Sequence, residues 1–178
     1  MMPNLLGYTL LQMIARESTN GYELVHRLRI MQNTHHSQIY PALSKLEEDG
    51  YLTVHRQAQE KLPDKKIYAI TEKGIDALAE WSETPLKNPV TKDEFIIKLQ
   101  LDWVNKSRTE SLLKERQSYL EEQLEMVDET LHHFEKLLHL DTDAARQADM
   151  PYQVYARKRE LLVVELEWCE RMLANRAK

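Results

Sequence analysis

Apolar residues recur at helical spacing along most of this chain, broken once by a short stretch of a different period. Leu6, Leu10, Met13 and Ile14 form one stripe and predict a first helix over Asn4 to Arg16. Ser18-Thr19-Asn20-Gly21 is a turn cluster in which Asn20 can cap a second helix, Tyr22 to Met31. That helix turns Leu24, Val25, Leu28 and Met31 inward. A short third helix follows, with Thr34 or His35 as its cap. Its Ile39, Leu43 and Leu46 face a core, while Gln38, Tyr40, Pro41, Ser44 and Lys45 fall on other faces. Gly50 stands where a helix ends in a left-handed residue. Then the period changes. Tyr51 to Arg56 and Lys66 to Ile70 read as two strands around a polar loop that carries lysines. Thr71 can cap a fourth helix through Trp81. Thr71-Glu72-Lys73-Gly74 is not a capping box, because its fourth residue is glycine, but Glu72 in the first turn suits the helix dipole.

Pro85 and Pro89 discourage a continuous helix and mark a boundary between residues 1–84 and 85–178. Asp93 to Trp103 is helical in pattern. The longest uninterrupted pattern is Arg108 to His139, in which Leu113, Leu120, Leu124, Val127, Leu131, Phe134 and Leu138 mostly alternate gaps of four and three. Arg116 and Gln117 interrupt this seam. Such a helix spans about 46 Å at about 1.5 Å per residue. Asp141 to Met150 is polar and reads as a connector, and Pro151 can start a last helix. Tyr155, Leu162, Leu166, Cys169 and Leu173 form that helix's stripe. Two such stripes exceed what a thin helical hairpin is expected to bury. Leu113, Leu120, Leu124, Val127, Leu131, Leu162, Leu166 and Leu173 are therefore candidates for joining two copies into a homodimer. Packing back on the N-terminal domain is the alternative.

Composition narrows the class. Only 4 glycines and 6 prolines in 178 residues favour a mainly α fold. Cys169 is the only cysteine, so no intrachain disulfide can form, as suits a reducing cytoplasm. No secretory signal pattern opens the chain, and no apolar run approaches the roughly 20 residues that cross a bilayer. A net charge of −5 argues mildly against a nucleic-acid partner. Local charge matters more than the total: Arg56, Lys61, Lys65 and Lys66 cluster at the hairpin, while the carboxylates crowd around Glu121-Glu122 and Glu165 to Glu170. A helix with one free edge, feeding a hairpin with a cationic tip, is a winged helix-turn-helix pattern.

Several ordered motifs carry a resemblance: Gly21-Tyr22-Glu23-Leu24, Gln38-Ile39-Tyr40-Pro41-Ala42-Leu43, Leu46-Glu47-Glu48-Asp49-Gly50-Tyr51-Leu52, Tyr68-Ala69-Ile70-Thr71-Glu72-Lys73-Gly74, and Asp93-Glu94-Phe95-Ile96-Ile97-Lys98-Leu99. In this order and spacing they resemble the PadR family of bacterial transcriptional regulators, and the long helical tail resembles its longer size class. Asn20 and Ser37 depart from the His and Gly common at those positions, which leaves the operator sequence open. The resemblance implies an N-terminal winged helix-turn-helix domain, a C-terminal helical dimerisation and effector-response domain, and a dimeric repressor of palindromic operator DNA.

On that footing the third helix enters the major groove and the hairpin lies along the backbone or minor groove. The candidate DNA contacts are His36, Ser37, Gln38, Tyr40, Pro41, Ser44, Lys45, Lys61, Lys65 and Lys66. Gln38 can pair an adenine edge in a bidentate way, and the lysines supply charge without sequence preference. The resemblance also implies release by a small effector, with hydroxycinnamic acids such as p-coumarate as the expected class. Candidates for the ring's slot are Tyr8, Phe95, Leu99, Trp103 and Tyr119, and for its carboxylate Arg16, Lys98 or His133. An enzyme is not expected. The pairs His35-His36 and His132-His133 diverge on a helix, no glycine-rich phosphate loop or nucleophile motif is present, and no metal or cofactor is called for. A regulator of this family or a MarR-like one answering another effector is the runner-up, and a helical adaptor that binds protein is a third reading.

Overall fold

The caps explain where the elements begin. In a computed structural model that describes residues 2–31, 36–58, 65–88 and 93–176 (without the side chains of Met31 and His36), Asn4 accepts from the Gly7 backbone N–H at 2.9 Å and opens α1, Leu5–Arg16. Asn20 accepts from the N–H groups of Tyr22 and Glu23 at 3.0 and 3.2 Å and opens α2, Gly21–Met31. The expected cap of α3, His36–Glu48, falls on residues outside the described set. Thr71 accepts from the Gly74 N–H at 3.1 Å and opens α4, Glu72–Ser82.

Chain contacts divide the protein into two units, Met1–Asn88 and Pro89–Lys178. In the first, Thr19–Asn20 is a two-residue strand, β1, where the sequence pattern indicates only a turn. It pairs with β3, Lys65–Ile70, which pairs in turn with β2, Leu52–Gln57. The sheet is therefore antiparallel, three-stranded and ordered β1-β3-β2 rather than a two-stranded hairpin. Leu10, Leu11, Ile14, Leu24, Leu28, Ile39, Leu43, Leu52 and Tyr68 form one core between helices and sheet. Gly50 has φ +77 and turns the chain from α3 into β2. Thr71 and Lys73 brace this corner: the Thr71 hydroxyl meets the Gly50 carbonyl at 2.9 Å, and Lys73 Nζ donates to the Asp49 carbonyl at 2.5 Å.

The second unit is a helical hairpin. α5, Glu94–Leu99, ends earlier than its apolar pattern suggests, and the chain continues through tight turns to Asn105. Asn105 caps α6, Lys106–Leu137, by accepting from the Arg108 N–H at 3.2 Å. The expected polar connector contains a further short helix, α7, Asp143–Ala148. α8, Met150–Arg176, packs along α6 and carries Pro151 in its first turn, where a missing N–H costs nothing.

The leucines of the expected seam divide into two sets. Leu113, Leu120, Val127, Leu131 and Leu162 are buried within the single chain, and Leu124, Leu166 and Leu173 are half-buried. The two helices bury both stripes in each other because α6 contributes a broad face that includes the polar row Thr109, Arg116, Gln123 and Thr130. The five buried leucines pack inside the hairpin, and Leu124, Leu166 and Leu173 keep part of their surface open. No helix among the described residues is long and apolar enough to cross a membrane.

Candidate nucleic-acid interface

Two faces of α3 differ sharply. Ile39, Leu43 and Leu46 are at most 4% exposed and anchor it in the core, whereas Ser37, Gln38, Tyr40, Pro41, Ser44 and Lys45 are exposed. His36 begins the helix, and its side chain lies outside the described set. Pro41 stands inside the helix and has no N–H to give the Ser37 carbonyl, which loosens the first turns on the open side. Lys45 lies 3.7 Å from Asp49, one turn on, a surface pair of little energy that leaves the ammonium available to another anion.

Tyr40 is both exposed and fixed. Its ring lies so close over Gly21 that a Cβ there would fall 2.7 Å from Cε1. The glycine of one motif and the tyrosine of the other are thus one packing unit, which couples α2 to the outer face of α3. Beside it Tyr22 is 72% exposed at the first turn of α2. Sequence reasoning passed over Tyr22, although its position off the Leu24-Val25-Leu28 stripe was the available signal.

The wing adds charge. Its register sets Arg56 opposite Lys66 and Gln57 opposite Lys65. Arg56 and Lys66 are both exposed. Like charges facing each other across strands cost folding energy, so this end of the hairpin is suited to an anion. Arg56 was missing from the candidate contacts. Lys61 lies outside the described residues.

The effector candidates fall in both units, Tyr8 and Arg16 in the first and the other six in the second. Tyr8 is a core residue of the first unit, stacked on Trp81 with ring centroids 4.6 Å apart. Its burial, with Tyr51 and Glu80 nearby, pushes its hydroxyl above the usual tyrosine range. Arg16 is half-buried in the last turn of α1. In the second unit, Lys98 pairs with Glu94 at 2.5 Å, Leu99 is half-buried, and Trp103 is 80% exposed on a turn. His133 is fourteen residues beyond Tyr119 on α6, about 21 Å along the axis. Within the second unit Phe95 and Tyr119 come together at Arg116. The guanidinium lies 5.0 Å from one ring centroid and 5.3 Å from the other. It donates to Asp93 at 3.1 Å and to Glu165 at 2.8 Å, and Trp168 meets Phe95 edge-on at 6.5 Å. Arg116 and Trp168 were absent from the candidates. The only signal was that Arg116 broke an apolar seam. Among the described residues no three His, Cys, Asp or Glu side chains gather as metal ligands.

Residues 10–80, which hold α1 to α4, match the Transcriptional regulator PadR-like family. The chain carries a PadR-like domain. It is 32% identical over 99 residues to the Negative transcriptional regulator PadR of Bacillus subtilis, an alignment covering 52% of this chain and 54% of that protein. The chain spans about half the length of the curated relatives it matches. Whole-chain folds agree more widely. A crystal structure of a Streptococcus mutans protein has a TM-score of 0.75 at 25% identity, covering 94% of this chain and 98% of that one. B. subtilis PadR solved in complex with operator DNA gives 0.68 at 24%, covering 96% and 97%. In complex with p-coumaric acid it gives 0.61 at 23%, covering 98% and 100%. At these identities the two complexes establish a shared fold. The PadR-like domain belongs to transcriptional regulators, not to an enzyme family.

Proposed function

We propose that this protein is a homodimeric cytoplasmic repressor that reads palindromic operator DNA with α3, steadies itself on phosphates with the wing, and is released by a hydroxycinnamic acid. One observation carries the DNA reading: the residues of α3 that its core does not use form a polar, exposed edge beside a cationic hairpin. Residues 1–84 are the DNA-binding part, and 85–178 pair the copies and answer the effector. Gln38 selects bases by its amide, Tyr40 and Pro41 press on a thymine methyl or sugar, and Ser44 and Lys45 take phosphates. Lys61, Lys65, Lys66 and, from the strand register, Arg56 contribute charge. Tyr22 extends the same face.

The complexes of B. subtilis PadR with operator DNA and with p-coumaric acid support the choice of ligands by likeness of fold. The effector acts only through unequal affinity for the DNA-competent and incompetent states. The test is binding of the purified chain to its own upstream DNA. Gln38→Ala is expected to weaken specific binding far more than binding to random DNA. Lys65→Ala with Lys66→Ala is expected to weaken both alike and to flatten the salt dependence. Millimolar p-coumarate is expected to release the fragment. Retention there removes the phenolic assignment and leaves the DNA reading in place, whereas equal affinity for upstream and random DNA removes the latter.

A further inference from the structure

Gly21 opens α2 at a position where folding alone favours another residue. Alanine in place of glycine stabilises a chain wherever the backbone suits both, because it narrows the unfolded ensemble. The backbone at Gly21 suits both, since the left-handed conformation among the glycines belongs to Gly50. What excludes a side chain here is Tyr40. A Cβ on Gly21 would meet Cε1, Cζ and the hydroxyl oxygen of that ring at 2.7, 3.2 and 3.3 Å. Yet Tyr40 is 46% exposed, and Ile39, Leu43 and Leu46 already anchor its helix. The ring therefore gains little burial from its place over α2. The floor beneath it is held firmly: Asn20 accepts from the N–H groups of Tyr22 and Glu23, and Thr19 pairs with Tyr68 of β3. Burial first, then Glu47 and the Tyr40 hydroxyl, raise the Tyr68 hydroxyl above the usual tyrosine range, which sets the end of the Tyr40 ring near this strand.

We infer that Gly21 is a positioning residue for operator recognition: the space its missing side chain leaves holds the Tyr40 ring in one pose and aims its exposed edge at the DNA. The inference rests on the DNA reading above and adds to it a residue that touches no base or phosphate. An exposed tyrosine on a helix has more than one rotamer open to it. Fixing one before DNA arrives removes the cost of ordering the ring on binding. It also sharpens choice, because a ring held in place meets a thymine methyl only where the sequence puts one, whereas a loose ring adapts to many sequences. The same geometry separates aiming from folding. The atoms that a Cβ would strike are the free end of a side chain and not backbone or core. Gly21→Ala therefore swings the ring aside, keeps the fold and loses the pose.

The experiment is a cycle of four full-length chains, the wild type, Gly21→Ala, Tyr40→Ala and the two together, each titrated onto the upstream DNA and onto random DNA. Far-UV circular dichroism is the check on folding. Gly21→Ala is expected to keep its helical signal, to bind the upstream fragment about tenfold more weakly or worse, and to bind random DNA within about twofold of the wild type. With Tyr40→Ala already in place, adding Gly21→Ala is expected to change upstream affinity by less than about twofold, because no ring is left to move. Should Gly21→Ala lose its helices, the double variant is expected to regain them, which would show the ring and the added methyl competing for one space; a double variant that stays unfolded overturns the proposal. A folded Gly21→Ala chain with unchanged upstream affinity overturns it too, as does an equal loss with and without the Tyr40 ring, and both leave the DNA reading standing. A wild type that binds upstream and random DNA alike overturns the DNA reading and the aiming with it.

Discussion

The two units exclude water in different ways. In residues 1–88, side chains from α1, α2, α3 and the sheet converge on one apolar cluster, and the buried polar residues Thr19, Asn20 and Arg27 form no row within it. In the hairpin, apolar and polar residues are buried in adjacent rows: Leu113, Leu120, Val127 and Phe134 run beside Thr109, Gln123 and Thr130. The first arrangement completes itself, so α3 can leave a whole edge polar and available. The second does not, and it leaves an apolar row on α8 that folding of a single chain fails to cover. A closed core thus frees a surface for a polar ligand, whereas the hairpin leaves a row of apolar side chains to water.

The largest effect separates the units directly. Leu43→Ala removes a fully buried side chain from the closed core and is expected to cost about 2–5 kcal/mol. Leu161→Ala, on the outer row of α8, is expected to cost under about 1 kcal/mol in the dissociated chain, because its exposed carbons lose little burial. Urea unfolding at a dilution where the chain is single measures both. Equal costs would mean that the outer row is covered within one chain and that the contrast is false.

The next effect falls on the junction of α5 with the hairpin. Arg116 ties Asp93 to Glu165 and fills the gap between Phe95 and Tyr119. Arg116→Ala is expected to cost about 1.5–3 kcal/mol, since it strands two half-buried carboxylates as well as removing hydrogen bonds to charged groups. Amide exchange checks it, with protection expected to fall in α5 before the α1–α3 core is touched.

These sites also mark how far the sequence could be read. The first unit was legible because every cue there was local: Asn20 and Thr71 lie three residues from the amides they cap, and the stripes of α1 to α3 had one inward side each. β1 escaped because two residues carry no period. In the hairpin the central row and the flank with the buried Leu131 were found, but the polar row buried on the other flank was missed. Periodicity offered Leu124, Leu131 and Leu138 on one flank, whereas burial also claims Thr109, Gln123 and Thr130 on the other. A polar residue enters such a row when something nearby satisfies it, as the Met126 carbonyl accepts from Thr130 at 2.9 Å. The Arg116 cluster was invisible for a related reason. Its partners stand 23 and 49 residues away, where no spacing rule reaches.

Gln123 turns the contrast into a change of sign. It is 7% exposed, and among the described residues its Oε1 accepts no hydrogen bond, while its amide reaches only the Met126 sulfur at 3.7 Å. A buried acceptor without a donor costs about 1–3 kcal/mol, and an apolar side chain of similar shape removes that cost. Gln123→Met is therefore expected to raise the stability of the hairpin by about 1 kcal/mol, where almost any change in the closed core lowers it. Thermal unfolding decides the sign. A lower Tm would mean that the amide is satisfied, and that this row is as complete as the core of the first unit.

The smallest expected effect comes from acid. Glu94 beside Lys98, Asp102 beside the Thr109 hydroxyl and Arg176, Glu110 beside Lys114, and Glu115 beside Arg108 all have carboxyls held below their usual range, and all four lie in the second unit. The shifts in the first unit are upward ones, on Tyr8 and Tyr68, caused first by burial. A lowered carboxyl binds its proton less readily in the folded chain than in the unfolded one. Its stabilisation is therefore complete above the ordinary carboxylate range and fades as pH falls through the lowered values. A raised tyrosine stabilises fully below about 10 and fades as pH rises through its higher folded value. Acid should thus loosen α5 and the N-terminal end of α6 while the first unit holds. Because the four carboxyls face water, added salt should shrink the effect. Amide exchange between pH 6 and pH 3 (roughly the span over which such carboxyls titrate) resolves the units separately. Simultaneous loss of protection in both would mean that the hairpin is no more dependent on its surface charges than the closed core is.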